Sequence, residues 1–77
     1  MNVQFFEGRI SYKAIKGFRA EKQTNGNYRI FIKLMEESGK ISIHPIITTK
    51  AEELILTWQG IEAMAFALTG ENHSMEI

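Results

Sequence analysis

Period-two alternation broken by two glycine turn signals limits this chain more than any other feature. Between Phe6 and Lys22 the even positions read Phe6, Gly8, Ile10, Tyr12, Ala14, Lys16, Phe18 and Ala20, and the odd ones Glu7, Arg9, Ser11, Lys13, Ile15, Gly17, Arg19 and Glu21. Alternation over that length specifies a strand. Gly8 and Gly17 weaken a helical alternative and are natural places for a long strand to bend. After Asn25-Gly26, residues Tyr28, Ile30, Ile32 and Leu34 alternate with Arg29, Phe31, Lys33 and Met35. After Ser38-Gly39, Ile41 and Ile43 alternate with Ser42 and His44. Three strands in hairpin succession follow.

Residues paired across a hairpin share a face, and a slip of one residue would turn the apolar set outward. A three-residue loop, Thr24-Asn25-Gly26, pairs Ala20 with Ile30 and Phe18 with Ile32, with Gly26 at the left-handed position of a type I turn with a G1 bulge. The second loop needs an even length to keep its isoleucines inward. Residues Glu36 to Gly39 supply it, pairing Leu34 with Ile41 and Ile32 with Ile43. Pro45 has no amide hydrogen to donate, so the third strand is expected at a sheet edge.

Thr49 followed by Glu52 has the spacing of a capping box, predicting a helix from there to about Thr69, with Gly70 ending it. At 100° per residue, Leu54, Trp58, Ile61, Ala65 and Leu68 fall on one stripe flanked by Ala51 and Met64. That stripe should cover the sheet. Residues 71–77 have no periodicity and are expected to fray. The expected fold is α+β, a single domain over residues 1–77: an antiparallel sheet of three strands, or four, followed by one C-terminal helix packed on one face. Met1 to Phe6 could add an edge strand or pair across a dimer.

The charge is unevenly spread. All nine Lys and Arg lie between Arg9 and Lys50, against Glu21, Glu36 and Glu37 in the same window, a surplus of 9 − 3 = 6, although the whole chain has net charge zero. Such asymmetry points to an acidic partner for the first half. A chain of 77 residues has a thin core, and help from a second copy would be in keeping with that. There is no cysteine, which fits the cytoplasm, and no apolar run approaches the length of a membrane span. With no aspartate, and with only His44 and His73 as histidines, few catalytic constellations can be built. Glu36-Glu37 and Glu52-Glu53 are neighbours pointing in different directions and read as solvated charge. His44 and His73 lack the close spacing of a zinc motif, and Gly39-Lys40 lacks the upstream glycine of a phosphate loop. The expectation is a non-enzymatic protein with no cofactor and no metal.

Two surfaces remain. On the register above, the sheet face away from the helix carries rows Arg19, Phe31, His44; Gly17, Lys33, Ser42; and Glu21, Arg29, Ile46. Arg19, Arg29 and Lys33 could meet phosphates or carboxylates, Phe31 could stack or wedge, and His44 could add charge at lower pH. On the helix, Leu56, Gly60, Ala63 and Ala67 share the side away from the Leu54 stripe. They form a candidate seam for a homodimer, with Ile55 and Phe66 extending it.

Asn25-Gly26-Asn27-Tyr28-Arg29-Ile30, Gly39-Lys40, Thr49-Lys50-Ala51-Glu52-Glu53 and Trp58 resemble the arm-binding domains at the start of tyrosine recombinases, three-stranded sheets with a helix that lay the sheet into a DNA groove. The helix here is more apolar, and the N-terminal strand longer, than in that pattern. The resemblance implies that Arg19, Arg29, Phe31 and Lys33 are the DNA-facing positions. The expected function is a small regulatory protein docking its basic sheet face on an acidic partner, nucleic acid narrowly first. The alternative is an inhibitor or adaptor binding a protein, such as a small phage-type inhibitor of a host nuclease.

Overall fold

A computed structural model describes residues 2–5 and 8–77, with side chains from Tyr12 onward. The strands are β1 (Asn2–Phe5), β2 (Gly8–Lys22), β3 (Tyr28–Glu36), β4 (Ile41–Thr49) and β5 (Met75–Glu76), with a 3-10 turn at Ala51–Glu53 leading into α1 (Leu54–Thr69). They form a five-stranded sheet of order β1-β2-β3-β4, with β5 beside β2. The fold is α+β with one C-terminal helix. The sheet is mostly antiparallel, but β5 runs parallel to β2, so it is mixed and larger than alternation alone indicated. β1 pairs with the start of β2, Asn2 to Phe5 against Ser11 to Gly8. The expected strand start at Phe6, and Glu7 with it, lies outside the described residues, as does Met1.

Two loops of like construction set the sheet. In the first, the Gln23 amide donates to the Asn27 carbonyl at 2.7 Å and the Gly26 amide to the Gln23 carbonyl at 3.0 Å. In the second, the Glu36 amide donates to the Lys40 carbonyl and the Gly39 amide to the Glu36 carbonyl, both at 2.8 Å. Asn25 and Ser38 hold equivalent places, each side chain accepting from the backbone amide two residues on. Gly26 (φ 86°) and Gly39 (φ 90°) both take the left-handed conformation that costs glycine least. The first loop gives the expected register, Phe18 with Ile32 and Ala20 with Ile30. The second does not.

Its three residues, 37–39, shift β4 by one place, so that Ile32 meets His44 and Leu34 meets Ser42, while Lys33 meets Ile43 and Met35 meets Ile41. The pairings of Leu34 with Ile41 and Ile32 with Ile43 are therefore corrected. Turn chemistry prevailed over the apolar pattern, because a glycine in the third loop position closes a three-residue turn. A shift between Ile30 and Phe31 restores phase, pairing Ile30 with Ile47. The unpaired Ile46 packs against the core, which removes it from the outer row assigned to it. β4 pairs with β3 alone and is an edge that tolerates Pro45.

β2 is also irregular, with shifts between Tyr12 and Ala14 and between Ile15 and Gly17. Strict alternation would have put Ala14 and Lys16 inward and Ile15 outward. Each extra residue reverses the phase, so Tyr12, Ile15 and Phe18 all reach the core and Lys13 and Lys16 are the unpaired bulge residues. Tyr12, Ile15, Phe18, Ile32 and Leu34 with Ala65 form one cluster and Ala20, Ile30 and Leu54 a second; Trp58 packs against the first and Ile61 against both. Leu54, Trp58, Ile61 and Ala65 thus cover the sheet as periodicity predicts. Leu68 is 52% exposed and Met64 68%, and Met75 of β5 packs against both clusters instead.

The capping box is absent. Neither helix start has a side-chain cap; the buried Thr49 hydroxyl instead meets that of Thr57 at 3.2 Å, tying the end of β4 to α1. Gly70 ends α1 in the left-handed conformation, as expected. The tail after it is not frayed. The His73 amide donates to the Glu62 carboxylate at 3.2 Å, its side chain is 5% exposed, and its ring stands edge-on to Phe18. Beyond it, the Phe18 amide donates to the Ser74 carbonyl at 3.1 Å, and β5 follows.

Candidate functional site: the outer face of the sheet

The helix covers one face of β2, β3 and β4, and the alternate residues form the other face. Its rows read Ala14, Met35, Ile41; Gly17, Lys33, Ile43; Arg19, Phe31, Pro45; and Glu21, Arg29, Thr48. Arg19, Arg29, Phe31 and Lys33 are therefore brought together on one surface, as the strand pattern proposed. Phe31 is half-buried between Arg19 and Pro45 and does not lie under the helix. His44 is not part of this group. The shifted register puts it opposite Ile32 on the helix side, where its Nε2 lies 2.9 Å from the Ser42 hydroxyl.

Isoleucines replace the histidine. Ile41 and Ile43 are 45% and 50% exposed and join Met35, Phe31 and Pro45 in an apolar band along β3 and β4. The signal that could have found them was present in the residues: Glu37-Ser38-Gly39 matches Thr24-Asn25-Gly26 in length and glycine position.

Two carboxylates also reach this face. Glu21 Oε2 lies 3.5 Å from Arg19 Nε, and Glu76 Oε1 lies 3.9 Å from Lys33 Nζ. The second contact crosses β2 at Gly17, which pairs with Lys33 and has no side chain to obstruct it, while Glu76 sits beside Arg19. Exposed pairs of this kind add little stability. Their effect is on the field, since each places a negative charge next to a cation. An open groove of about 650 Å³ continues round the β2 edge, lined by Arg19, Glu21, Lys22, Tyr28, Glu76 and Ile77. It too mixes both signs of charge.

The residues expected to form a dimer seam, Leu56, Gly60, Ala63 and Ala67, are all exposed on the far side of α1. Among the described residues no three His, Cys, Asp or Glu side chains are grouped to hold a metal, and no helix is long and apolar enough to cross a membrane. Glu36, paired with Tyr12, lies on the helix side of the sheet, and Glu52 and Glu53 are exposed before α1. Neither a family model nor a curated protein nor a solved structure matches the chain. The resemblance to arm-binding domains is carried no further by these comparisons.

Proposed function

We propose that this domain is a non-enzymatic binding module whose outer sheet face docks on an acidic, partly apolar surface of another protein, as an inhibitor or adaptor does. The observation that carries this reading is the β3–β4 register, which sets Ile41 and Ile43 beside Phe31 and within the rows of Arg19, Arg29 and Lys33. Protein interfaces combine an apolar, aromatic centre with arginine and a polar rim, and this face has that composition.

Two features favour protein over nucleic acid. Glu21 and Glu76 lie against two of the three cations in these rows, and a phosphate approaching them meets carboxylates as well. Exposed isoleucines also add nothing to phosphate contact, which supplies most non-specific nucleic-acid affinity. The absence of cysteine fits action in the cytoplasm.

The test has two arms. In the first, wild type is titrated with mixed-sequence DNA and RNA at low salt. The expected result is no binding in the range of about 1–100 μM, where non-specific binders fall. In the second, affinity capture from the native host is run with wild type and with Ile43→Glu. A stoichiometric protein retained by wild type and lost with Ile43→Glu is expected. Oligonucleotide binding in that range that Ile43→Glu leaves unchanged overturns the reading.

A further inference from the structure

The solvent side of α1 is apolar and uncharged. Leu56 is 73% exposed, Met64 68%, Ile55 61%, Leu68 52% and Phe66 49%. The helix carries one charged residue, Glu62, which is half-buried and accepts the His73 amide. A surface helix in water normally turns a charged face outward, and a helix apolar all round is one that is covered. Five large apolar side chains along a helix of about 24 Å form a patch of the kind that marks a contact surface.

The pattern of these residues also says what covers them. Leu56, Gly60, Ala63 and Ala67 are spaced 4, 3 and 4 apart, the a/d spacing of a helical seam, centred opposite the Leu54, Trp58, Ile61 and Ala65 stripe. If two copies of α1 run antiparallel about a two-fold axis between Ile61 and Glu62, Leu56 of each faces Ala67 of the other, and Gly60 faces Ala63. Leu56 then meets the small Ala67 at either end and small meets small at the centre, and a Cβ added at Gly60 would have nothing within 4 Å, so the backbone there is open to close approach. The same axis sets Ile55 beside Phe66 of the other copy along one side of the seam, and Met64 and Leu68 beside Thr57 along the other, with no like charges in contact. An isologous interface needs this self-complementarity. A nucleic acid or charged protein surface would find no counter-charge here.

We infer that α1 pairs with α1 of a second copy in an antiparallel two-fold dimer, which leaves both outer sheet faces free. The seam is a single helix of 16 residues lined by small side chains, so the dimer is expected to be concentration-dependent. It does not depend on what docks on the sheet.

Sedimentation of the wild-type chain from low to high concentration should show the mass rising from 8.8 kDa toward twice that value. Ala63→Glu and Leu56→Lys, both at exposed positions, should remain monomeric with an unchanged circular dichroism spectrum. Because the chain has no cysteine, single thiols report the register. Ala63→Cys should oxidise to a disulfide-linked dimer, since the two copies of residue 63 lie about 4.5 Å apart along the seam. Leu56→Cys should not, because its copies are separated by about 16 Å. A wild type that stays monomeric throughout overturns the proposal. So does a dimer insensitive to Ala63→Glu, which would mean a different partner surface, or one cross-linked by Leu56→Cys, which would mean a parallel pairing or a shifted axis.

Discussion

The outer faces of the sheet and of the helix are both apolar and both open to solvent, yet they differ in charge. The sheet face sets Ile41, Ile43 and Phe31 among Arg19, Arg29 and Lys33, with Glu21 and Glu76 held against two of the cations. The outward side of α1 presents Ile55, Leu56, Met64, Phe66 and Leu68, and its one acidic residue is engaged by the tail. Hydrophobic area alone says that something covers a surface, while the arrangement of charge says what. The mixed face suits a different molecule with complementary charge. The neutral face suits a copy of itself.

The largest expected effect is therefore Ala63→Glu, which would bury an unpaired carboxylate in each half of the seam and weaken self-association by about 100-fold or more. Binding through the sheet should be untouched, as sedimentation and partner titration would show in parallel. Ile43→Glu is the mirror experiment. It should weaken partner docking by about 30-fold or more, the loss of a hot spot worth about 2 kcal/mol, and leave the dimer intact. If Ile43→Glu instead dissociates the dimer, the roles of the two faces are exchanged.

Arg29→Glu should act more mildly, by about 10-fold, and its effect should shrink as salt rises because Arg29 is exposed. Ionic-strength titration of partner binding would measure this, and an effect independent of salt would point to packing. The smallest change is Gly39→Ala, which forces a residue with a Cβ to φ 90°. It should destabilise the fold by about 1 kcal/mol or slightly more in chemical denaturation. Gly26→Ala should match it, since the two loops are built alike.

Those loops also show how far the residues alone disclose the fold. The β2–β3 register was legible because the Asn25-Gly26 loop and the apolar alternation agree. At Glu37-Ser38-Gly39 the two signals disagree: the turn favours three residues, while burying Ile41 and Ile43 needs four. Local turn geometry prevails, and the isoleucines are left outside. A conflict between levels of this kind is expected at functional surfaces. Arg19, Arg29, Phe31 and Lys33 were found because β3 alternates regularly and the β2–β3 register holds from Gly17 onward. His44 was misplaced by the same one-residue shift that hid Ile41 and Ile43.

Other differences have separate causes. Two bulges in β2 reverse its phase twice; in sequence Lys13 fits the outward series and only Lys16 looks like a polar interruption of the inward one. Thr49 has the spacing of a cap, but its hydroxyl is spent on Thr57. The tail has no periodicity because it is held by contacts that need none: one backbone hydrogen bond from Phe18, one carboxylate on the His73 amide, and the packing of Met75. Removing that carboxylate with Glu62→Ala should raise amide exchange across residues 71–77 and leave β3 protected.

The most direct test of the account labels single thiols in this cysteine-free chain, with Ile43→Cys followed by alkylation first alone and then in complex with the captured partner. Position 43 on an open outer face predicts fast reaction of the isolated protein and marked protection in the complex, whereas slow reaction of the isolated protein, or equal rates with and without partner, would contradict it.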